Sequence, residues 1–142
     1  MLAETLELGA IPEFWTRRHL LGLQDLSAEE ITLILDKADV FRDALDRRQT
    51  RVPLLTGRTC VTLFFENSTR TRTSFSLAAR RLGADTVDFS ASTSSLSKGE
   101  TFIDTAKNIE AMGADAVIVR HRTPGTPQLL AQNLRCSVVN AG

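Results

Sequence analysis

The sequence lacks net charge, long apolar runs and metal-binding spacings, and each absence excludes a class of function. Its 17 basic residues balance 17 acidic ones. We therefore expect no nucleic-acid partner, and any anion site must come from a local cluster of arginines. No segment approaches the ~20 apolar residues that cross a bilayer, so no membrane partner is expected. No histidines or cysteines stand at metal-ligand spacing, so we expect no metal.

Cysteines and glycine-rich nucleotide motifs are also scarce. Cys60 and Cys136 each lie in a short apolar run, which favours two buried, reduced thiols over a disulfide. The N-terminus carries Glu4 and Glu7 and lacks the basic start of a secretory signal, so we expect a cytoplasmic protein. Neither GxGxxG nor GxxxxGK[ST] occurs, which argues against a dinucleotide or Walker-type nucleotide site.

Short apolar runs alternate with amphipathic segments along most of the chain. A capping box of Ser27 and Glu30 predicts the start of the first helix, and residues 1–13 are interpreted as an N-terminal arm. The predicted strands lie at 60–65, 86–90, 116–119 and 136–139. After the first helix and a polar stretch at 66–73, a second helix is marked by apolar residues from Phe75 to Leu82, and further helices are predicted at 102–113 and 126–134. This alternation predicts a three-layer α/β/α domain with a four-stranded parallel sheet, for which we expect the strand order 2-1-3-4.

The strongest chemical signal is Ser68-Thr69-Arg70-Thr71-Arg72, between a predicted strand and a predicted helix. Unpaired N–H groups and the positive end of the helix dipole make such a position a natural anion site. The hydroxyls add donors, and Arg70 adds a planar fork that suits a phosphate. A plain Ser/Thr helix cap followed by solvated arginines remains an alternative interpretation.

Two other segments carry groups of the same kind. Arg120-His121 follows an apolar strand, and Arg120 would face the Ser68–Arg72 motif if the third strand neighbours the first. Lys98, in a Ser- and Gly-rich loop, would be a point charge for a phosphate. A charged strand end and a flexible surface loop are the simpler interpretations. His121 is interpreted as a loop histidine, and Glu66 either orients an arginine or is a solvated strand end.

Several of these motifs together resemble one known family. Residues 64–75, FFENSTRTRTSF, resemble the carbamoyl phosphate signature of the aspartate and ornithine transcarbamoylases. The runs SLSKGE at 95–100, VRH at 119–121 and VNAG at 139–142 resemble the aspartate branch, in the expected order. Lys98 and Gly142 are the residues that favour this branch over the ornithine branch. The similarity covers roughly residues 18–142.

The resemblance implies a reaction that uses no cofactor. In that reaction carbamoyl phosphate and L-aspartate give N-carbamoyl-L-aspartate and phosphate, an early step of pyrimidine synthesis. Residues 68–71 would hold the phosphate, Arg70 would offset charge on the leaving oxygen, and Thr71 and Arg120 would polarise the carbonyl oxygen. Arg72 would be a structural or interface partner. The implied catalytic residues are Arg70, Thr71 and Arg120, and the implied substrate-binding residues are Ser68, Thr69, Arg70, Thr71, Ser95, Lys98 and Arg120.

The family also implies an assembly and a second domain. Ser95 and Lys98 would reach the active site of a neighbouring subunit in a homotrimer, although the shorter loop leaves Ser94 as an alternative to Ser95. Family members continue into an aspartate-binding domain and a C-terminal helix that returns to the first half. We therefore interpret residues 1–142 as the carbamoyl phosphate-binding domain without the aspartate-binding domain, inactive alone and with an exposed apolar patch.

Two other functions remain open at this point. One is an ornithine-type transcarbamoylase. The other is a non-catalytic relative that binds an anion or serves as an oligomer scaffold, although the complete set of Ser68, Thr69, Arg70, Thr71 and Arg120 argues against it.

Overall fold

The structure, a computed structural model, describes residues 8–90 and 101–142 of the chain. Its centre is a four-stranded parallel sheet in the order β2-β1-β3-β4, so the predicted fold class and strand order are confirmed. The elements in chain order are α1 Ala28–Asp46, β1 Thr59–Phe64, α2 Thr69–Arg81, β2 Asp85–Ser90, α3 Phe102–Ala111, β3 Ala116–Arg120, α4 Thr126–Asn133 and β4 Ser137–Asn140.

The two faces of the sheet are covered by different helices, because side chains alternate along each strand. On one face Val61, Val117 and Val138 pack with Ile109 of α3 and Leu130 of α4. The opposite face is smaller, with Cys60 packed against Ala79 of α2. The arrangement is therefore α/β/α, and β1 and β3 occupy the buried centre of the sheet.

The helix ends follow local sequence signals. Ser27 caps α1, and the side chain of Glu30 accepts a hydrogen bond from the Ser27 N–H in return, so the predicted capping box is present. Helix α2 ends just before Gly83, whose φ of 88° lies in the left-handed region. A side chain at that position would be strained, which explains why the glycine stops the helix.

The apolar residues of α1 are only partly buried. Leu35 and Leu45 are exposed, at 60% and 38%, while Ala44 is buried. Between α1 and α2 lies an apolar groove of about 400 Å³ lined by side chains that include Phe41 and Leu77. This groove matches the expectation of an exposed apolar patch.

The segment before α1 docks beside the sheet. Leu20 forms a parallel bridge with Val139, and its N–H donates to the carbonyl of Val138 at 2.9 Å. The ring nitrogen Nδ1 of His19 accepts a hydrogen bond from the Val138 N–H at 2.9 Å. The chain around residue 20 therefore extends the β4 edge. No helix in the described part of the chain is long and apolar enough to span a membrane.

Candidate anion-binding site at the carboxyl edge of the sheet

The Ser68–Arg72 motif forms the turn from β1 into α2. Strand β1 ends at Phe64, Ser68 is the N-cap residue, and α2 begins at Thr69. The Arg72 N–H donates to the Ser68 carbonyl at 3.1 Å, which is the first intrahelical bond. The N–H groups of residues 69–71 therefore have no partner inside the helix and point out of its N-terminus.

The charges at this helix start are the reverse of those that stabilise a helix. The first turn of α1 carries Glu29 and Glu30, which suit the positive end of the helix dipole. The first turn of α2 has no acidic residue and instead carries Arg70 and Arg72. A cation at this end of a helix costs about 0.3–1 kcal/mol. The two arginines therefore do not stabilise α2 itself, and their charge is better explained by a bound anion.

The Ser68 hydroxyl is not used to cap the helix. Ser68 makes no side-chain capping hydrogen bond, unlike Ser27 and Thr101, which cap α1 and α3 through their hydroxyls. Thr69 and Arg70 are exposed beside it. Ser68 is thus the N-cap residue by position but not through its hydroxyl, so this hydroxyl and the Arg70 guanidinium are available to a ligand.

Arg120 lies at the end of β3, paired in register with Phe64 of β1. Its Nε donates to the Glu66 carboxylate at 3.0 Å in a half-buried ion pair. Its Nη1 donates to the Ala141 carbonyl at 3.2 Å and approaches the Thr71 hydroxyl at 3.5 Å. One guanidinium thus contacts three parts of the chain: the segment that follows β1, the segment that follows β4, and the first turn of α2. This position is the switch point of the sheet, between β1 and β3, where ligands of α/β proteins bind.

A hydrogen-bond network holds the C-terminal half of α2 on the sheet. The hydroxyls of Thr62 in β1 and Ser76 in α2 both donate to Oδ1 of Asp88 in β2, each at 2.6 Å. Both hydroxyl residues are buried. Burial raises the pKa of Asp88, but these hydrogen bonds, with the charges of Arg72 and Arg80, outweigh it and hold the pKa below its ordinary value. The network positions the helix whose first turn forms the candidate site.

The structure brings together most of the residues predicted for the site. Ser68, Thr69, Arg70, Thr71 and Arg120 lie at one edge of the sheet. Ser95 and Lys98 lie outside the described residues.

Some contributions could not be read from the sequence. Glu66 pairs with Arg120, which decides between its two interpretations. Sequence reasoning missed the Ala141 carbonyl and the Asp88 network, whose partners lie 12 and 26 residues from Asp88. No local pattern joins residues so far apart. His121 lies in the loop after β3, as predicted, and its ring contacts two phenylalanine rings.

Comparison with known proteins agrees with this geometry. A family model described as "Aspartate/ornithine carbamoyltransferase, carbamoyl-P binding domain" matches residues 18–142. Aspartate carbamoyltransferase catalytic subunits of Rhodopirellula baltica and Gloeobacter violaceus are 61% and 56% identical to this chain, over 94% and 90% of its length. The chain spans only 39% and 40% of those two relatives.

Solved structures give the same result at the level of the fold. The catalytic subunit of M. jannaschii aspartate transcarbamoylase superposes with a TM-score of 0.80 at 36% identity, over 89% of this chain and 41% of that one. Aspartate transcarbamoylase from Trypanosoma cruzi, in complex with carbamoyl phosphate and aspartate, gives a TM-score of 0.81 at 30% identity, over 88% of this chain and 38% of that one.

Proposed function

The chain belongs to the aspartate/ornithine carbamoyltransferase family, and from that premise we propose that it is the carbamoyl phosphate-binding part of an aspartate carbamoyltransferase. The proposed reaction transfers the carbamoyl group to the amine of L-aspartate and releases phosphate, as a step of pyrimidine biosynthesis in the cytoplasm. The observation that carries the proposal is the start of α2, where N–H groups without an intrahelical partner, hydroxyls and Arg70 lie at the edge of the sheet at which Arg120 approaches Thr71.

Each proposed role follows from the charge that its group meets. The phosphate carries two negative charges, so it is placed on the N–H groups of α2 with the Ser68 and Thr69 hydroxyls. Arg70, exposed at the same edge, offers a bidentate fork to the phosphate and offsets charge that grows on the leaving oxygen. The proposal places the carbonyl oxygen against the Thr71 hydroxyl and the Arg120 guanidinium, whose Nη1 lies 3.5 Å from the Thr71 hydroxyl oxygen. Two donors at this spacing can polarise one oxygen, which makes the carbon more open to attack.

The pairing of Arg120 with Glu66 supports its proposed role. A half-buried guanidinium with a carboxylate on Nε and a carbonyl on Nη1 has a fixed direction before any ligand arrives. Preorganised donors lower a barrier without reorganisation at the moment of reaction. The Glu66 carboxylate therefore acts through Arg120, as a group that orients it.

The complete enzyme extends beyond this chain in the proposal. The chain spans about 40% of the length of the relatives, and in the proposal L-aspartate is bound by a further domain, as the family resemblance implies. Ser95 and Lys98 would enter the active site of a neighbouring subunit in a homotrimer. The chain by itself would bind carbamoyl phosphate without turnover.

The direct test is ligand binding by the chain itself. Isothermal titration with phosphonoacetamide, a stable mimic of carbamoyl phosphate, should show one site. Arg70→Ala should weaken binding by about 10- to 100-fold, since a hydrogen bond to a charged group contributes about 1.5–3 kcal/mol. The affinity of Arg70→Lys should lie between that of the unchanged chain and that of Arg70→Ala, because lysine keeps the charge and loses the planar fork. Arg42→Ala, an exposed arginine on α1, is the matched control. Equal affinity of the Arg70→Ala and Arg42→Ala chains would contradict the proposal.

The shared site needs a chain that can turn over. In a chimera where the remaining part of the Rhodopirellula baltica subunit follows Gly142, Lys98→Ala and Arg70→Ala should each abolish formation of carbamoyl aspartate. Mixing the two variants under conditions that exchange subunits should restore part of the activity, because some sites then combine an intact Arg70 with an intact Lys98. No recovery in the mixture would refute the sharing of sites.

A further inference from the structure

Three rings from different parts of the chain form a cluster beside the candidate site. The centroids of Phe65 and Phe102 lie 5.0 Å apart, and their planes meet at 67°. His121 lies 4.9 Å from Phe65 and 5.5 Å from Phe102. All three residues are half-buried. Such tilted and edge-to-face pairs at 4.5–7 Å are the favourable geometry for aromatic rings, and each contributes about 0.5–1.5 kcal/mol beyond area burial.

The cluster is connected to the candidate site by the backbone, because two of its rings belong to residues next to Glu66 and Arg120 in the chain. Phe65 precedes Glu66, and His121 follows Arg120, which are the two partners of the ion pair. The Phe65 N–H also donates to the Arg120 carbonyl at 2.8 Å. The ring contact between Phe65 and His121 therefore lies directly beside the ion pair of Glu66 with Arg120.

The His121 ring is fixed on its other side as well. Its Nδ1 accepts a hydrogen bond from the Thr123 N–H at 3.0 Å, so in this arrangement the ring hydrogen lies on Nε2. This bond turns the chain back at the end of β3. Arg120 lies at the last position of that strand, where the ladder no longer holds the backbone on both sides. The direction of its long side chain thus depends on what anchors the next residue.

We propose that His121 is a positioning residue: its ring, packed between Phe65 and Phe102, anchors the end of β3 and thereby holds the Arg120 guanidinium over Thr71 for carbamoyl phosphate binding. The proposal rests on the proposed function and adds to it a residue that touches no substrate. It also assigns Phe102, the first residue of α3, to support of the site.

A double-mutant cycle on ligand affinity tests this inference. In titrations with phosphonoacetamide, His121→Ala should weaken binding by about fivefold, the size of one aromatic contact. Arg120→Ala should weaken it more, and adding His121→Ala to Arg120→Ala should change nothing further, because the two residues act through one group. His121→Phe should retain most of the affinity since it keeps the ring, whereas His121→Asn should not, although its side-chain oxygen can replace Nδ1 as an acceptor.

His19→Ala is the matched control. His19 also accepts a backbone N–H through Nδ1, from Val138, but has no ring partner in the described cluster, and its loss should leave the affinity unchanged. A fivefold loss that persists in the Arg120→Ala background would overturn the proposal, as would full affinity of His121→Ala. If His121→Ala does not fold, the comparison of His121→Phe with His121→Asn decides in the same way. Failure of the unchanged chain to bind phosphonoacetamide would instead overturn the proposed function, and this inference with it.

Discussion

Replacing Asp88 by alanine should destabilise the chain through the two hydroxyls that it leaves without a partner. The Thr62 and Ser76 hydroxyls both donate to Asp88 at 2.6 Å, from residues that are 2% and 6% exposed. A hydrogen bond to a charged group contributes about 1.5–3 kcal/mol. Because the Asp88 residue itself is open to water, water can replace Asp88 as the acceptor of these two hydrogen bonds in part. We therefore expect the free energy of unfolding to fall by about 3 kcal/mol in total. That is a large share of the free energy of unfolding of a typical domain, which is about 5–15 kcal/mol.

Urea denaturation, followed by circular dichroism, measures this loss. With a slope of about 2 kcal/mol per molar urea, the midpoint should fall by about 1.5 M. Asp88→Asn should lose about half as much, because the amide oxygen can accept the same bonds without the charge. Asp85→Ala, an exposed residue on the same strand, is the control. In the Asp88→Ala background, Thr62→Val combined with Ser76→Ala should recover stability by removing the unpaired hydroxyls.

The same network predicts a direction of pH dependence. The pKa of Asp88 is lower in the folded chain than its ordinary value of 3.8. Its stabilisation is therefore complete above that value and is lost as the pH falls through the folded pKa. Asp88→Ala should remove this part of the acid sensitivity. If Asp88→Ala and Asp85→Ala unfolded at the same urea concentration, the network would contribute nothing and the reasoning above would be wrong.

Three further predictions concern other parts of the chain. Hydrogen bonds from Arg17 first and from Ser27 second lower the pKa of Glu30 from 4.5 to about 2. The stabilisation by this carboxylate is therefore complete above pH 4.5 and is lost towards pH 2, and Arg17→Ala, which removes the larger cause, should raise the pH at which acid unfolds the chain. The Thr105 hydroxyl is buried without a hydrogen-bond partner among the described residues, and Thr105→Val should raise the free energy of unfolding by about 1 kcal/mol in urea titrations. Burial, with the Glu110 carboxylate, raises the pKa of Cys136 to about 12, so an aromatic disulfide reagent should leave this thiol unlabelled in the native chain at neutral pH, and rapid labelling would contradict its burial.

The fold was largely predictable from the sequence because its signals are local. The capping box at Ser27, Gly83 after α2 and the apolar runs of the strands each act within a few residues, and they mark most element ends to within one or two positions. The start of α2 is different, because the helix begins at Thr69, inside the stretch 66–73 that the sequence marked only as polar. Burial is a separate matter: apolar residues of α1 recur at helical spacing, yet Leu35 and Leu45 are exposed. Spacing shows which side of a helix is apolar, but burial requires an element to pack against it.

The amino-acid sequence by itself determined which groups a ligand would meet at the start of α2. Ser68, Thr69, Arg70 and Thr71 are neighbours along the chain, so any fold that begins a helix there presents them together. Only the tertiary structure decided which distant groups join them. Arg120 reaches Thr71 because β3 pairs with β1, and its guanidinium is held by the Glu66 carboxylate and by the Ala141 carbonyl. Such contacts depend on strand pairing across tens of residues, and no local pattern of side chains specifies them.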